Sequence, residues 1–122
     1  MEHPDTLASA HSLAGVLRQQ GEFSEATRIL RETLEVRRRV LGAEHLDTLA
    51  SANKLGTVLG SQGEFVEGAR ILRETLELRR RVLGSEHLDT LACSNDVGTV
   101  LGSQGDLSEA TRIMRETFEA RG

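Results

Sequence analysis

The chain has 122 residues, a formal net charge of −4 at pH 7, one cysteine and neither Trp nor Tyr. This length gives room for one compact domain, and the acidic balance excludes the basic footprint of a nucleic-acid-binding domain. Cys93 alone excludes an internal disulfide framework. The sequence shows neither a run of about 20 apolar residues that could span a membrane nor the basic start and apolar run of a signal peptide. We therefore expect a cytoplasmic protein that binds neither nucleic acid nor a membrane.

The sequence consists of one unit written three times. The units cover residues 3–44, 45–86 and 87–122, the period is 42 residues, and the last unit is truncated. The first two units are identical at 30 of 42 positions. Such a period is typical of stacked repeats, in which each unit buries its apolar face against its neighbours. We predict a single repeat domain over residues 1–122, of the kind that presents surfaces to partners.

Two helices are predicted in each unit, as the middle unit illustrates. In its first helix, Leu49, Leu55 and Leu59 recur at helical spacing and mark the buried face. Asp47 can cap the first turn or meet the positive end of the helix. Gly63 suits the left-handed conformation just past the helix C-terminus.

The second helix of the middle unit is predicted to bury Phe65, Leu72, Leu76 and Val82 and to end at Gly84. Applied to all three units, the pattern predicts an all-α fold. The predicted architecture is a right-handed α-solenoid of three tandem helix-turn-helix repeats with six antiparallel helices. These helices are predicted at about residues 5–20, 24–41, 47–62, 66–83, 89–104 and 108–121.

Small residues recur in the middle of the first helices. Gly56 and Gly98 occupy the same repeat position, which Ala14 holds in the first unit. Glycine inside a helix costs about 1 kcal/mol against alanine. Its recurrence at one repeat position therefore predicts close approach of the paired helix.

The motifs of the units resemble the tetratricopeptide repeat. Leu55-Gly56, Phe65, Gly68 and Leu72 stand where that family carries a Leu-Gly pair, an aromatic residue at the turn, a small residue and an apolar one. The common period of the family is about 34 residues. The longer period here, with the stretches HPDT, QGEF, SEAT and RETLEVRRRVLG, is similar to the subclass found in kinesin light chains. The resemblance implies a protein–protein interaction scaffold whose first helices line a concave groove.

The resemblance also implies that exposed positions of the first helices contact a peptide or partner segment. An asparagine amide can clamp a peptide backbone group. The alternative is that Asn53 and Asn95 are solvated or bond across neighbouring repeats. The groove carries no aromatic anchor of the kind that dominates binding hot spots, so we expect a weakly held peptide. The candidate partner-binding residues are His11, Ser12, Arg18, Asn53, Lys54, Thr57, Asn95, Asp96 and Thr99.

Two arginine runs, residues 37–39 and 79–81, end the second helices of the first two units. We interpret them as a solvated convex face held by helical ion pairs. The alternative is a patch for an acidic partner or a phosphate. The predicted ion pairs are Arg28–Glu32, Arg31–Glu35, Glu35–Arg39, Arg70–Glu74, Arg73–Glu77 and Glu77–Arg81.

Residues that could carry chemistry have structural explanations. His3, His45 and His87 share one repeat position, and helices about 8–10 Å apart cannot bring such residues to one zinc ion at about 2.0–2.1 Å. We predict helix-start roles for them and a packing role for Cys93. Paired catalytic carboxylates, a triad order and a phosphate-cradling glycine loop are missing. We therefore expect no enzyme, no catalytic residue, no cofactor and no metal.

The third unit stops part-way through its second helix, which leaves Met114 and Phe118 near a bare end. Repeat arrays need terminal caps with a polar outer face. We expect either stacking on neighbouring molecules, which would make the chain a homo-oligomer, or a fragment of a longer array. The second interpretation of its function is accordingly a structural array that assembles end to end or spaces other domains.

Overall fold

A computed structural model describes residues 4–121, with the side chains of residues 7–103 and 105–119. Every regular element in this range is an α-helix, which confirms the predicted all-α fold. No helix in the described range is long and apolar enough to cross a membrane. Each predicted helix end lies within one residue of the observed one. The helices are α1 (Pro4–Gln19), α2 (Phe23–Leu41), α3 (Leu46–Gln62), α4 (Phe65–Leu83), α5 (Leu88–Gln104) and α6 (Leu107–Arg121).

The helices form three hairpins that stack in chain order. Each helix packs against the next along the chain, and α3 also touches α1 and α5. The first helices of the hairpins (α1, α3 and α5) therefore lie side by side, and we call this the first-helix side. The second helices (α2, α4 and α6) form the opposite layer.

Histidines start the middle and last hairpins. His45 and His87 have extended backbones, and their Nδ1 atoms accept hydrogen bonds from the backbone N–H groups of Asp47 and Asp89, both at 3.1 Å. The predicted helix-start role is thus confirmed for these two histidines, while His3 lies outside the described residues. Since His45 is the cap, Asp47 lies in the first turn, where its charge meets the positive helix end.

The described side chains form two buried apolar clusters, one mainly on α1–α3 and one on α4–α6. Leu55, Leu72 and Leu76 are buried as predicted, and Phe65 is half-buried. The prediction for Val82 is wrong, because this side chain is exposed. Val82 follows Leu76 by six residues, which places it about 240° further round the helix and off the buried face.

The predicted close approach at the mid-helix glycines is confirmed. A methyl group at Gly56 would lie 2.6 Å from Cγ of Leu72 and 3.1 Å from the carbonyl oxygen of Gly68. A methyl group at Gly98 would lie within 3.0 Å of the Met114 sulfur. Small residues at this position therefore set the distance between the two helices of a hairpin.

Ion pairs connect successive second helices. Arg31 donates two hydrogen bonds to Glu67, at 2.8 and 2.9 Å, and Arg73 likewise binds Glu109, with Nε at 2.8 Å. The arginine hydrogen bond holds the pKa of each of these two glutamates below its usual value. Arg31 and Arg73 thus pair across repeats, and the predicted pairs Arg31–Glu35 and Arg73–Glu77 are wrong. A two-bond pair between helices offers better geometry than a pair along one helix.

Three further predicted pairs divide in a similar way. Arg28–Glu32 and Arg70–Glu74 form within their helices, at 3.4 and 3.1 Å, as predicted. Arg81 contacts Glu44 at 3.1 Å in place of the predicted partner, Glu77. One part of the charge pattern therefore stabilises single helices, and another part ties repeats together.

Candidate functional site

Two adjoining hollows lie on the first-helix side and together form what we call the first-helix groove. The larger, about 290 Å³, is lined by Arg18, Ala50, Asn53, Lys54, Thr57, Arg79 and Asp96. The smaller, about 210 Å³, is lined by Arg18, Thr57, Gly60, Ser61, Asp96, Thr99, Val100 and Ser103. Arg18, Thr57 and Asp96 border both hollows, so side chains of three repeats meet in one groove.

Positive charge dominates this groove. Among the described residues that line the groove, Arg18, Lys54 and Arg79 face a single carboxylate, that of Asp96. The Nε atom of Arg18 is buried and has no hydrogen-bond partner among the described residues. Lys54 reaches over α1, where a side chain at Gly15 would meet its ammonium group at 3.6 Å. The lining of the groove therefore carries an excess of positive charge, and one of its arginines keeps an unpaired hydrogen-bond donor.

Asn53 and Asp96 join the last two repeats across the groove. Nδ2 of Asn53 donates a hydrogen bond of 2.9 Å to Oδ2 of Asp96, so Asn53 does bond across neighbouring repeats. Its carbonyl oxygen Oδ1 remains buried and without a partner among the described residues. Asp96 fixes the orientation of the amide, and Oδ1 keeps its capacity to accept a hydrogen bond. Asn95 is exposed and does not line the groove.

The threonines of the groove hydrogen-bond to their own helices. Oγ1 of Thr57 donates to the carbonyl of Asn53 at 2.9 Å, and Oγ1 of Thr99 donates to the carbonyl of Asn95 at 3.0 Å. Such bonds to the preceding turn use the hydroxyl proton. Each threonine therefore presents an acceptor oxygen and a methyl group to the groove.

His11 lies beside the groove and not in its lining. Its ring is half-buried, and its Nδ1 is buried and unpartnered among the described residues. Burial, followed by the charges of Lys54 and Arg37, lowers the pKa of His11 below 6.5. The ring is therefore neutral at pH 7. The neighbouring Ser12 is exposed and also stays outside the groove lining.

The arginine runs do not form one convex face, contrary to our prediction. Arg37 is buried and donates hydrogen bonds to the carbonyl of Asp47 at 3.0 Å and to Oγ of Ser51 at 2.8 Å. Arg79, at the same repeat position, donates to the carbonyl of Asp89 at 2.9 Å and lines the groove. Successive helical residues are about 100° apart, so three neighbouring arginines cannot share a face. Sequence reasoning missed Arg79 because it treated the run as one feature.

Cys93 is buried and not in a disulfide. Burial raises the pKa of its thiol to about 12, so the thiolate that a nucleophile or metal ligand needs is not formed at neutral pH. The side chain belongs to the apolar cluster of α4–α6, as its predicted packing role requires. Within the described residues, no three His, Cys, Asp or Glu side chains are grouped closely enough to hold a metal ion.

Models of the tetratricopeptide repeat match residues 6–47 and residues 50–121 of this sequence. The second match alone covers more than half of the chain. The chain belongs to the tetratricopeptide repeat family. Tetratricopeptide repeats are protein–protein interaction modules. No curated protein sequence matches this tetratricopeptide repeat protein.

Solved structures with the same fold include one of a protein assigned as a kinesin light chain. A Podosopora anserina protein assigned as a kinesin light chain with nearly identical TPR-like repeats is 27% identical, with a TM-score of 0.88 over 98% of this chain and 57% of that one. BtubC (BKLC) of P. vanneervenii is 20% identical, with a TM-score of 0.89 over 98% of this chain and 48% of its own. This tetratricopeptide repeat protein thus spans about half the length of these two relatives. The N-terminal domain of stress-induced protein-1 of C. elegans shares the fold at 16% identity, with a TM-score of 0.72 over 96% of this chain and 85% of that domain.

Six of the nine predicted partner-binding residues of this tetratricopeptide repeat protein line the first-helix groove: Arg18, Asn53, Lys54, Thr57, Asp96 and Thr99. The other three, His11, Ser12 and Asn95, lie outside its lining. The prediction separates into these two groups because the groove is bounded by long side chains that cross between repeats. Which side chains cross depends on how the hairpins stack.

Proposed function

We propose that this tetratricopeptide repeat protein binds a peptide segment of a partner protein in the first-helix groove, with a carboxylate of the segment beside Arg18. The convergence of Arg18, Lys54 and Arg79, from three helices of the first two hairpins, on one hollow carries the proposal. Three cations facing one carboxylate leave an excess of positive charge there. A planar guanidinium is well suited to bind a carboxylate through two hydrogen bonds.

Unpartnered groups support the same proposal. A buried donor or acceptor without a partner costs about 1–3 kcal/mol, and Nε of Arg18 and Oδ1 of Asn53 are two such atoms in one groove. A peptide offers both complements, a carboxylate for Arg18 and a backbone N–H for Asn53. The groove holds no aromatic anchor among its lining residues, so affinity depends on charge and falls as salt is added.

We also propose that the protein acts as a non-enzymatic scaffold in the cytoplasm. In this proposal the side chains of the groove bind and orient a segment, and the buried, protonated thiol of Cys93 supports a packing role for that residue. A reducing compartment keeps such a lone thiol reduced.

A peptide array probed with the full chain tests the groove. We expect captured peptides to be enriched in Asp and Glu, and Arg18→Gln and Lys54→Ser each to weaken their binding about tenfold, as expected for a desolvated charge contact. Lys54→Ser introduces the residue that the first repeat has at this position, Ser12. Isothermal titration at low and high salt measures the loss.

Arg28→Gln is the matched control, because Arg28 is an exposed arginine of the second-helix layer that pairs with glutamates of its own helix, α2. It should leave peptide affinity unchanged, and circular dichroism should show equal helix content in all variants. Peptides that bind Arg18→Gln, Lys54→Ser and the wild type equally well would show that the interaction surface lies elsewhere on the stack.

A further inference from the structure

The outer face of α6 exposes apolar side chains that the internal repeats bury. Phe118 is 76% exposed, whereas Leu34 and Leu76, at the same repeat position on α2 and α4, are each only 4% exposed. Leu30 and Leu72, which correspond to Met114, are fully buried. An open hollow of about 520 Å³ lies on this face, lined by Ala110, Thr111, Met114, Arg115 and Phe118.

The outer face of α1, at the other end of the stack, shows the complementary exposure. Leu13 and Val16 are 48% and 49% exposed. The residues at the same repeat positions on α3, Leu55 and Val58, are 2% and 0% exposed, because α2 covers them. The face of α1 therefore has the apolar side chains that a preceding second helix would cover.

At each end of the stack, one charged residue occupies a repeat position that forms an ion pair at the internal junctions. At each internal junction, an arginine of one second helix binds a glutamate of the next second helix through two hydrogen bonds. The next arginine of the series is Arg115 on α6, and the glutamate at the start of the series is Glu25 on α2; both are exposed. The two internal pairs are Arg31–Glu67 and Arg73–Glu109.

Glu25 makes the same contact within its own helix as Glu67 does. Its carboxylate lies 4.0 Å from Arg28, as that of Glu67 lies 4.0 Å from Arg70. What distinguishes Glu67 is the additional arginine from the preceding repeat, Arg31. Glu25 is thus placed to receive an arginine from outside the chain.

We propose that the outer face of α6 docks onto α1 and the start of α2 of a second copy of this chain, in the register of the internal junctions. Leu13 and Val16 of the second copy enter the hollow beside Met114 and Phe118, and Arg115 binds Glu25 of that copy. The face on α6 differs from the face on α1 and α2. A docked pair therefore keeps one free face of each kind, and the association extends head to tail without closing.

Charge reversal at the Arg115–Glu25 contact tests this proposal with the full chain. Arg115→Glu and Glu25→Arg each place like charges in the contact, which should weaken association roughly tenfold or more at low salt. Mixing the two variants should restore it, because the two contacts that then alternate both join opposite charges. One contact joins the two substituted side chains, and the other joins the native Arg115 and Glu25. Sedimentation velocity across a concentration series measures the mass distribution.

The apolar part of the contact has its own variant and control. Phe118→Ala should weaken association roughly tenfold or more, as expected for a central aromatic anchor. Leu88→Ala should leave it unchanged, because Leu88 is equally exposed, at 76%, but lies at the start of α5, away from both end faces. Circular dichroism checks that each variant keeps its helix content.

Growth of the wild type beyond the dimer with rising concentration, loss in the single variants and recovery in their mixture would support the proposal. A wild type that stays monomeric at near-millimolar concentration would overturn it. So would association that ignores both reversals and Phe118→Ala, or a dimer that saturates and is not restored by mixing. None of these variants alters the first-helix groove, so the outcome is independent of peptide binding.

Discussion

His11 shows how one residue can differ in character from its counterparts in the other repeats. Asn53 and Asn95 hold the same repeat position, and Asn53 bonds to Asp96 of the following repeat. His11 instead faces Lys54, which occupies the position of Asp96 one repeat earlier. A protonated imidazole beside an ammonium group is unfavourable. Burial and the charge of Lys54 both lower the pKa of His11 and so favour its neutral form, and we expect the first junction to be sensitive to acid.

We predict that this protein loses stability in mild acid and that His11→Asn reduces the loss. The pKa of His11 is lowered in the folded state. At a pH well above about 6.5, the usual histidine pKa, His11 is therefore unprotonated in both the folded and the unfolded chain. As the pH falls through 6.5 toward the lowered folded pKa, the unfolded chain takes up the proton first, and stability falls. Thermal unfolding at neutral and mildly acidic pH measures the difference.

Ser12→Asn, at the adjacent exposed position, is the control for this experiment and should keep the full acid sensitivity. An equal drop in Tm for the wild type and His11→Asn would show that the acid sensitivity comes from other groups.

Each helix is bounded by features that act locally. Gly63 and Gly105 end α3 and α5 in the left-handed conformation, with φ of 92° and 96°. Gly84 ends α4 with φ of 93° but ψ of 158°, a region that only glycine adopts readily. These ends depend on a few neighbouring residues, which is why the helix bounds could be predicted from sequence to within one residue.

Packing between helices depends on a different set of glycines, those inside helices at points of close approach. We predict that Gly68→Ala destabilises the protein by about 1–2 kcal/mol, since overpacking outweighs the gain in helix propensity. A methyl group there would lie 2.9 Å from the carbonyl oxygen of Gly56, and backbone cannot yield as a side-chain tip can. Chemical unfolding monitored by circular dichroism measures the change.

Gly102→Ala is the matched comparison, because a methyl group at Gly102 meets nothing within 4 Å. This variant should be stabilised by about 0.5–1 kcal/mol through the lower conformational freedom of the unfolded chain. If Gly68→Ala were stabilised by the same amount, the close approach of α3 and α4 would not limit packing.

The whole molecule is a stack of hairpins joined by buried apolar contacts and by polar contacts between repeats. Arg37 contributes a buried connection from α2 to α3, and Asn53 connects α3 to α5 through Asp96. Arg31 and Arg73 connect successive second helices. These polar contacts are directional, whereas apolar burial is less specific. They therefore help to fix the register in which the hairpins stack.

We predict that Arg31→Gln with Arg73→Gln lowers the free energy of unfolding by less than about 1 kcal/mol per ion pair. Because the pKa values of Glu67 and Glu109 are lowered in the folded state, this stabilisation is present above their usual value of 4.5 and is lost as the pH falls through the lowered values. Urea unfolding at neutral and acidic pH, with and without salt, measures it.

Arg28→Gln with Arg70→Gln removes two arginines that pair within single helices and serves as the comparison. Since such pairs contribute about 0.3–0.5 kcal/mol each, it should lower stability by less than the cross-repeat variant. The reverse order would mean that the contacts between second helices do not help to hold the stack together.

The surfaces of the stack could be predicted only in part. The repeat position identified Arg18, Asn53 and Lys54 as residues of the first-helix side, and all three line the groove. The same reasoning also selected Asn95, which is exposed outside it, and omitted Arg79, which reaches in from a second helix. A repeat position indicates which side of a helix a residue occupies, but it does not show how far a long side chain extends.

The all-α fold, the three hairpins and the helix bounds of this protein follow from the order of its amino acids. They depend on the spacing of apolar residues and on the glycines that end the helices, and both act within a single unit. The pairing of the charges follows instead from the way the hairpins stack. Arg31 binds Glu67 across repeats at 2.8 Å, although Glu35 lies four residues away on its own helix. This choice depends on distances between helices, and those distances exist only once the hairpins have stacked.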